Sequence, residues 1–173
     1  MRTEWQQLTT VQSHPRRWPM PVAAALSTGL PLLCGAYFGD MRAGLIGSLG
    51  GIAFLHLPET PFHHRMVRLM ACAFALAACY SMGLAIGQVS GLWLKIPLVT
   101  VLALMITLSV RYYRLPPPGP IFFITAAPIG AYARVPLAQV SSSVGLLFMG
   151  ALGAVLTGFV YSVLTLAKWP PTP

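Results

Sequence analysis

The stretch LMACAFALAACYSMGLAIGQVSGLWL, Leu69–Leu94, decides the fold of this chain, because it runs for 26 residues without a charged side chain. The hydrocarbon core of a bilayer is about 30 Å thick and needs about 20 apolar residues in each helix that crosses it. The stretch is long enough to cross a membrane once and to turn at its end. We predict that it is the third of several transmembrane helices.

The composition of the whole chain indicates the same environment. Of the 173 residues, 56% are hydrophobic and only 8% are charged, and the mean hydropathy is +0.72. In a soluble domain about a quarter of the residues are charged, so a surface this poor in charge is suited to lipid. The eleven Lys and Arg residues outnumber the three acids, but they stand singly between apolar runs. The sequence therefore does not predict nucleic-acid binding.

Charged residues and prolines divide the chain into six apolar segments. The predicted fold is all-α: a polytopic membrane domain of six transmembrane helices over 19–168, between a cytoplasmic amino-terminal tail (1–18) and a carboxy-terminal tail (169–173). In chain order the segments are Trp18–Gly39, Ala43–Pro58, Leu69–Leu94, Ile96–Val110 (extended by Leu92, Trp93 and a snorkelling Lys95), Pro120–Ala133, and a last span from about Val144 to Ala167.

The distribution of basic residues predicts the orientation of these helices. With six spans, eight Lys and Arg residues fall on one side of the membrane, and three (Arg42, Lys95 and Arg134) fall on the other. Cytoplasmic loops collect Lys and Arg, so both termini are predicted to be cytoplasmic. An odd number of spans would remove this bias.

The second and fifth segments are shorter and richer in Gly or Pro than an ordinary span, with Gly47 and Gly51 in the second and Pro128 in the fifth. Each is the middle member of a set of three. Paired short segments at corresponding positions of two halves indicate the broken helices and the binding region of a transporter. The pattern predicts a 3+3 inverted repeat with helix breaks at these three residues. The alternative is that both segments are tilted spans, or spans in a locally thinned bilayer.

Four arginines at the ends of the predicted spans are the candidates for substrate binding: Arg42, Arg65, Arg111 and Arg134. A ring of such charges lowers the barrier for carboxylates and raises it for cations. Because a guanidinium matches a carboxylate with two parallel hydrogen bonds, we expect Arg42 and Arg134 to contact the substrate. The alternative is that the basic residues only set the topology.

Titratable residues around the second segment are candidates for proton-linked or pH-sensing groups: Asp40, His56, Glu59, His63 and His64. Histidine titrates near neutral pH, whereas the carboxylate that proton-coupled transporters usually hold within the membrane is absent from every predicted span. Neither these residues nor the three cysteines have the spacing of a metal site or a catalytic motif. The sequence therefore predicts no enzyme activity, no cofactor and no metal.

A set of short motifs covers nearly the whole chain: the basic entry Pro15-Arg16-Arg17-Trp18, the small-residue span Ala23–Leu30, the tight turn Gly39-Asp40-Met41-Arg42, a third helix entered through Arg65 and Arg68, and the stretch Pro116–Phe123. Together they resemble the membrane module of the fusaric acid resistance protein family. That family includes exporters of aromatic carboxylic acids in bacterial inner membranes and, more distantly, the plant aluminium-activated malate transporters. The resemblance implies a six-helix module in the bacterial inner membrane that moves organic anions and works as a dimer or as a duplicated half.

Two functional hypotheses follow. The first is a transporter or channel subunit that moves organic anions, such as aromatic carboxylates, in the direction of efflux. Its partners would be the lipid bilayer, small organic anions and further copies of the chain in a homodimer or higher homo-oligomer, since a pathway between six helices alone is cramped. The second is a non-transporting membrane scaffold or accessory subunit of a larger membrane complex, in which glycine-rich helix faces dock a partner.

Overall fold

The computed structural model describes residues 19–57, 62–113 and 119–168. Within these ranges the chain is all-helical, with six α-helices, one 3₁₀ turn and no strand. The elements are α1 (Pro19–Tyr37), α2 (Met41–Gly51), the 3₁₀ turn that continues it (Ile52–His56), α3 (Phe62–Gly87), α4 (Leu92–Tyr112), α5 (Ile121–Tyr132) and α6 (Leu137–Lys168). Glu59 and the two predicted tails lie outside the described residues.

Four of these helices are long and apolar enough to cross a membrane: Met20–Tyr37, His63–Gly87, Leu92–Tyr112 and Leu137–Leu164. The helices α2 and α5 have only 11 and 12 residues. At 1.5 Å per residue they are about 17 and 18 Å long, against a hydrocarbon core of about 30 Å. The described chain therefore has four candidate spans in place of the six predicted, and the second and fifth helices are the short ones.

The long helices α3 and α6 form the centre of the bundle. The short helix α2 packs on α6, the short helix α5 packs on α3, and the two long helices also contact each other. Leu69 and Leu76 on α3 and Leu147 on α6 are fully buried here. The helices α1 and α4 pack on α2 and α5, and the apolar windows of both are only 17% buried. Their outer faces are left for lipid.

Polar contacts fix the ends of the helices. Asp40 is the N-cap of α2, and its carboxylate accepts a hydrogen bond of 3.0 Å from the backbone N–H of Ala43. At the other end of α2, the buried hydroxyl of Ser27 on α1 donates to the carbonyl oxygen of Gly51 over 2.9 Å, where the α-helix changes to 3₁₀ geometry. Lys95 donates over 2.8 Å to the last-turn carbonyl of Gly87, a position where cations stabilise a helix.

The short helices continue through two of the three predicted break positions. The helix α2 passes through Gly47, and α5 passes through Pro128, without a change of secondary structure; α2 ends at Gly51. Because lipid offers no replacement for a lost backbone hydrogen bond, a glycine in this medium is used for close packing more readily than for bending. A Cβ atom at Gly47 would lie only 3.0 Å from the Cβ of Pro31 on α1.

Candidate functional site

The first of two close helix crossings joins α2 to α6. A Cβ atom added at Gly50 would contact the carbonyl oxygen of Leu147 and would lie 2.7 Å from the backbone nitrogen of Ala151. From the other helix, a Cβ atom added at Gly150 would contact the carbonyl oxygen of Gly47. The absence of side chains at these glycines lets the two backbones touch.

The second crossing joins α5 to α3 in the same manner. A Cβ atom added at Gly130 would lie 2.6 Å from the carbonyl oxygen of Tyr80 and 2.9 Å from the backbone nitrogen of Leu84. From the other helix, a Cβ atom added at Gly83 would contact the carbonyl oxygen of Ala127. Backbone again meets backbone, with small residues on both sides.

The two crossings share one register. On the short helices, Gly47 and Gly50 of α2 correspond to Ala127 and Gly130 of α5, each 80 positions later. On the long helices, the contacting atoms of α3 recur 67 positions later on α6: Tyr80, Gly83 and Leu84 correspond to Leu147, Gly150 and Ala151. Each short helix therefore meets its long helix through the same set of backbone atoms.

A hydrogen bond places the end of α2 beside the start of α5. His56, which follows α2, donates from Nε2 to the carbonyl oxygen of Gly119, which precedes α5, over 3.3 Å. At the opposite end, a Cβ atom added at Gly87, the last residue of α3, would lie 3.0 Å from the carbonyl oxygen of Ala131 near the end of α5. The short helices therefore run in opposite directions through the bundle. We call the end where α2 starts and α5 ends the Arg42 end, and the end where α2 ends and α5 starts the Arg65 end.

The four predicted arginines do not come together in one site but form two pairs. Arg42 and Arg134 lie at the Arg42 end, and both are exposed; Arg134 has a left-handed backbone with φ 48°. At the Arg65 end, Arg65 is half-buried and donates to the Ser162 hydroxyl of α6 over 3.2 Å, whereas Arg111 is exposed.

The predicted titratable residues are divided between the same two ends. Asp40 caps α2 at the Arg42 end, whereas His63 and His64 are exposed at the Arg65 end in the first turn of α3, with ring centroids 6.0 Å apart. Asp40 is thus separated from the histidines with which the sequence grouped it. In residues 19–57, 62–113 and 119–168, no three His, Cys, Asp or Glu side chains form a group that could hold a metal ion.

His56 is the buried member of the set, with 5% of its surface exposed. Its ring packs against Phe122 and Phe123 at the start of α5, with centroid distances of 5.8 and 4.9 Å. His56 lies in the 3₁₀ turn, outside the four long apolar helices. Burial lowers its pKa below the ordinary value, and the hydrogen bond to Gly119 opposes this effect in part. Its Nδ1 is buried without a hydrogen-bond partner among the described residues.

An open groove of about 670 Å³ runs along the outer face of the bundle between α1, α2 and α6. Its rim is formed by Leu26 and Leu30 on α1 and Met149 on α6, whose side chains are 51, 52 and 70% exposed. Glycines, including Gly44 on α2 and Gly153 on α6, line its interior. The volume is within the range of about 300–1,000 Å³ that is usual for ligand sites.

Few polar groups line this groove. The hydroxyls of Ser27 and Thr157 already donate to the carbonyl oxygens of Gly51 and Gly153, over 2.9 and 2.8 Å, and Asp40 lies at the Arg42 end of the groove. The sequence does not single out Ser27, Thr157 and Gly153, because these residues of α1 and α6 come together only through the packing of three helices. A hydroxyl or a glycine within an apolar run does not by itself predict a contact between these helices.

Comparisons with known proteins agree with the apolar helices. The chain is 23% identical over 155 residues to the "Uncharacterized membrane protein YvaC" of Bacillus subtilis (strain 168). The chain is a membrane protein. The match covers 88% of this chain and 24% of YvaC, so the chain spans about a quarter of the length of that relative. No protein-family model matches the chain, and no solved structure matches it.

Proposed function

We propose that this chain is a transporter or channel subunit that moves organic anions, such as aromatic carboxylates, out of the cell across the bacterial inner membrane, with both termini cytoplasmic. The observation that carries the proposal is the shared register of the two short helices on the two long ones. Short or interrupted helices at corresponding positions of two inverted halves are typical of secondary transporters, in which they build the substrate site.

The proposed inverted repeat assigns α1–α3 to one half and α4–α6 to the other. Each short helix then packs on the long helix of the opposite half, α2 on α6 and α5 on α3. A two-fold axis in the plane of the membrane generates this kind of exchange. If one half moves against the other, both crossings must rearrange together, which is the coupling that alternating access requires.

The arginine pairs supply the charge for anion entry and exit in this proposal. Arg42 and Arg134 lie at one end of the bundle, and Arg65 and Arg111 lie at the other. Charges of this sign lower the barrier for carboxylates, and a guanidinium can hold a carboxylate with two hydrogen bonds. Arg42 lies in the first turn of α2, where the positive end of the helix dipole adds to its field. We propose it as the first contact for the substrate.

Flux into liposomes that contain only the purified protein tests the proposal. We expect selective uptake of benzoate or of a small dicarboxylate, measured at two pH values to separate passive flow from proton coupling. The double variant Arg42→Gln/Arg134→Gln should lower the flux about ten-fold or more, because a hydrogen bond to a charged group contributes about 1.5–3 kcal/mol. The matched control is Arg68→Gln, which removes an exposed charge of α3 and should leave the flux unchanged.

Two outcomes would count against this function. Unchanged flux in a folded double variant would exclude the arginines as the anion contacts. The absence of flux of any anion through folded native protein would exclude transport by the chain alone and would favour the second candidate, a non-transporting scaffold or accessory subunit. The length of YvaC favours this second candidate, because the matching region there is joined to about three times as much further protein.

We also propose that the chain works as a homodimer or higher homo-oligomer. The outer faces of α1 and α4 are apolar and largely unburied within one chain, so both are available to a second copy as well as to lipid. Cross-linking in liposomes at low protein-to-lipid ratio measures this directly, and a species of one chain only would contradict it.

A further inference from the structure

The groove between α1, α2 and α6 has the length of one lipid leaflet. Along α1 its lining extends from Leu26 to Gly35, which is 9 positions or about 14 Å of helix, and it continues to Phe38 just after the helix. Half of a hydrocarbon core of about 30 Å is about 15 Å. Asp40 lies just beyond Phe38, at the level that head groups would occupy. The groove therefore matches an acyl chain that hangs from a head group at the Arg42 end.

The interior of the groove suits an apolar chain rather than a polar solute. The hydroxyl hydrogens of Ser27 and Thr157 are already used in bonds to backbone carbonyls. The rim residues Leu26, Leu30 and Met149 are exposed, and the apolar window of α1 is only 17% buried. A lipid chain can thus enter sideways from the bilayer without losing any polar contact.

The mouth of the groove offers a carboxylate beside the start of a helix. The carboxylate of Asp40 is exposed and makes one hydrogen bond within the described residues, to the N–H of Ala43. The start of α2 lies beside it, where helix N–H groups and the helix dipole favour a phosphate. A head group with an ammonium for Asp40 and a phosphate for the start of α2 complements this arrangement.

We infer that the groove binds one acyl chain of a phospholipid with a phosphoethanolamine head group, with the ammonium at Asp40 and the phosphate at the start of α2. This site lies on the lipid-facing side of α1, α2 and α6, apart from the crossing of α3 and α5, and it does not depend on anion transport. The bilayer itself supplies the ligand.

The shared register of the crossings indicates one such site in each chain. The position on α5 that corresponds to Gly44 is Ile124, 80 residues later, and the position on α3 that corresponds to Gly153 is Ile86, 67 residues earlier. Larger side chains therefore stand where the groove has glycines. The expected stoichiometry is one retained lipid per chain.

Native mass spectrometry of the purified protein, titrated with phosphatidylethanolamine and with phosphatidylglycerol, tests this inference. The variant Gly153→Ile places a side chain in the groove, because Gly153 lines it and a Cβ atom there meets no other atom within 4 Å. Gly145→Ile is the matched control on the same helix, since its Cβ is equally free and it lies outside the groove lining. We expect one bound phosphatidylethanolamine in the native protein and in the control, and binding weaker by about five-fold or more in Gly153→Ile.

Asp40→Asn tests the head-group contact, because asparagine preserves the helix cap and removes the charge. We expect the preference for phosphatidylethanolamine over phosphatidylglycerol to fall about two- to five-fold, the equivalent of an exposed ion pair. Equal lipid retention in Gly153→Ile and Gly145→Ile would overturn the groove as the site, and equal binding of both lipids by native protein would overturn the head-group assignment. Neither result bears on anion flux, which the liposome experiment measures separately.

Discussion

At the residue scale, Gly50 and Gly130 have the same task in different helices. Each lacks a side chain where the backbone of a long helix passes, and the atoms that a Cβ would meet are a carbonyl oxygen and a nitrogen one turn apart in both cases. In lipid, helices associate through van der Waals packing more than through the hydrophobic effect, so close backbone approach is a main source of stability. The two positions should therefore respond alike to substitution.

We predict that Gly50→Ala and Gly130→Ala each lower the free energy of unfolding by about 1–3 kcal/mol, the usual cost of overpacking. The added methyl group meets backbone atoms, which cannot rotate away. Denaturation in mixed detergent micelles measures the change. Gly145→Ala is the control, because its Cβ has no neighbour within 4 Å and alanine favours a helix by about 0.5–1 kcal/mol over glycine. Equal stability of all three variants would contradict the packing role of the crossings.

Single residues show how far the sequence could be interpreted alone. The glycine content of the second segment predicts a helix break at Gly51, where α2 ends. It does not predict that the helix continues through Gly47, because the neighbours of Gly47, which are Pro31 and Gly150, belong to other helices. From the sequence, Asp40 is a proton-linked candidate together with the histidines, and it stands two positions before Arg42. Its role as the N-cap of α2 depends on where that helix begins.

At the element scale, the 3₁₀ turn Ile52–His56 ties the end of α2 to the start of α5. The contact consists of the hydrogen bond from His56 to Gly119 and the packing of its ring on Phe122 and Phe123. The Nε2 atom needs its hydrogen for this bond, so protonation would take place at Nδ1, which is buried without a hydrogen-bond partner among the described residues. Burial disfavours a charge on this ring more than the nearby backbone carbonyls of Gly119 and Ala53 favour it.

We predict that this contact weakens as the pH falls. The pKa of His56 is lower in the folded protein than in the unfolded chain, where it is about 6.5. The stabilising contribution is therefore fully present above about pH 6.5 and is lost as the pH falls from there towards the folded pKa. The expected slope is at most about 1.4 kcal/mol per pH unit. His56→Gln should remove this dependence, whereas His64→Gln, at an exposed site, should retain it.

Unfolding of the three proteins between about pH 5 and pH 8 measures this effect. An identical pH dependence in His56→Gln and the native protein would exclude His56 as the group responsible.

The turn also shows why the second segment was difficult to interpret from sequence. Its apolar run continues past Gly51, but five of its residues follow 3₁₀ geometry, so the α-helical part is shorter than the run of apolar residues suggests.

At the scale of the whole molecule, the two halves of the proposed repeat are interleaved. The apolar runs and the charges between them predict the all-helical fold and the two short helices, because these depend on local length and composition. The exchange of short helices between halves, and the groove beside α1, depend on contacts between residues about 100 positions apart, such as Gly50 with Leu147 and Ala151. Neither could be predicted without the structure.

This interleaving predicts that residues 1–113 and 114–173, produced as two separate chains in one cell, assemble with each other. Each fragment lacks the long helix on which its own short helix packs, so neither should be stable alone, and a tag on the first fragment should recover both in about equal amounts. Gly130→Leu should abolish recovery, because a side chain there meets the carbonyl oxygen of Tyr80 at 2.6 Å, whereas Gly145→Leu should not. A first fragment that folds without the second would mean that the contacts of α2 with α6 and of α5 with α3 are dispensable.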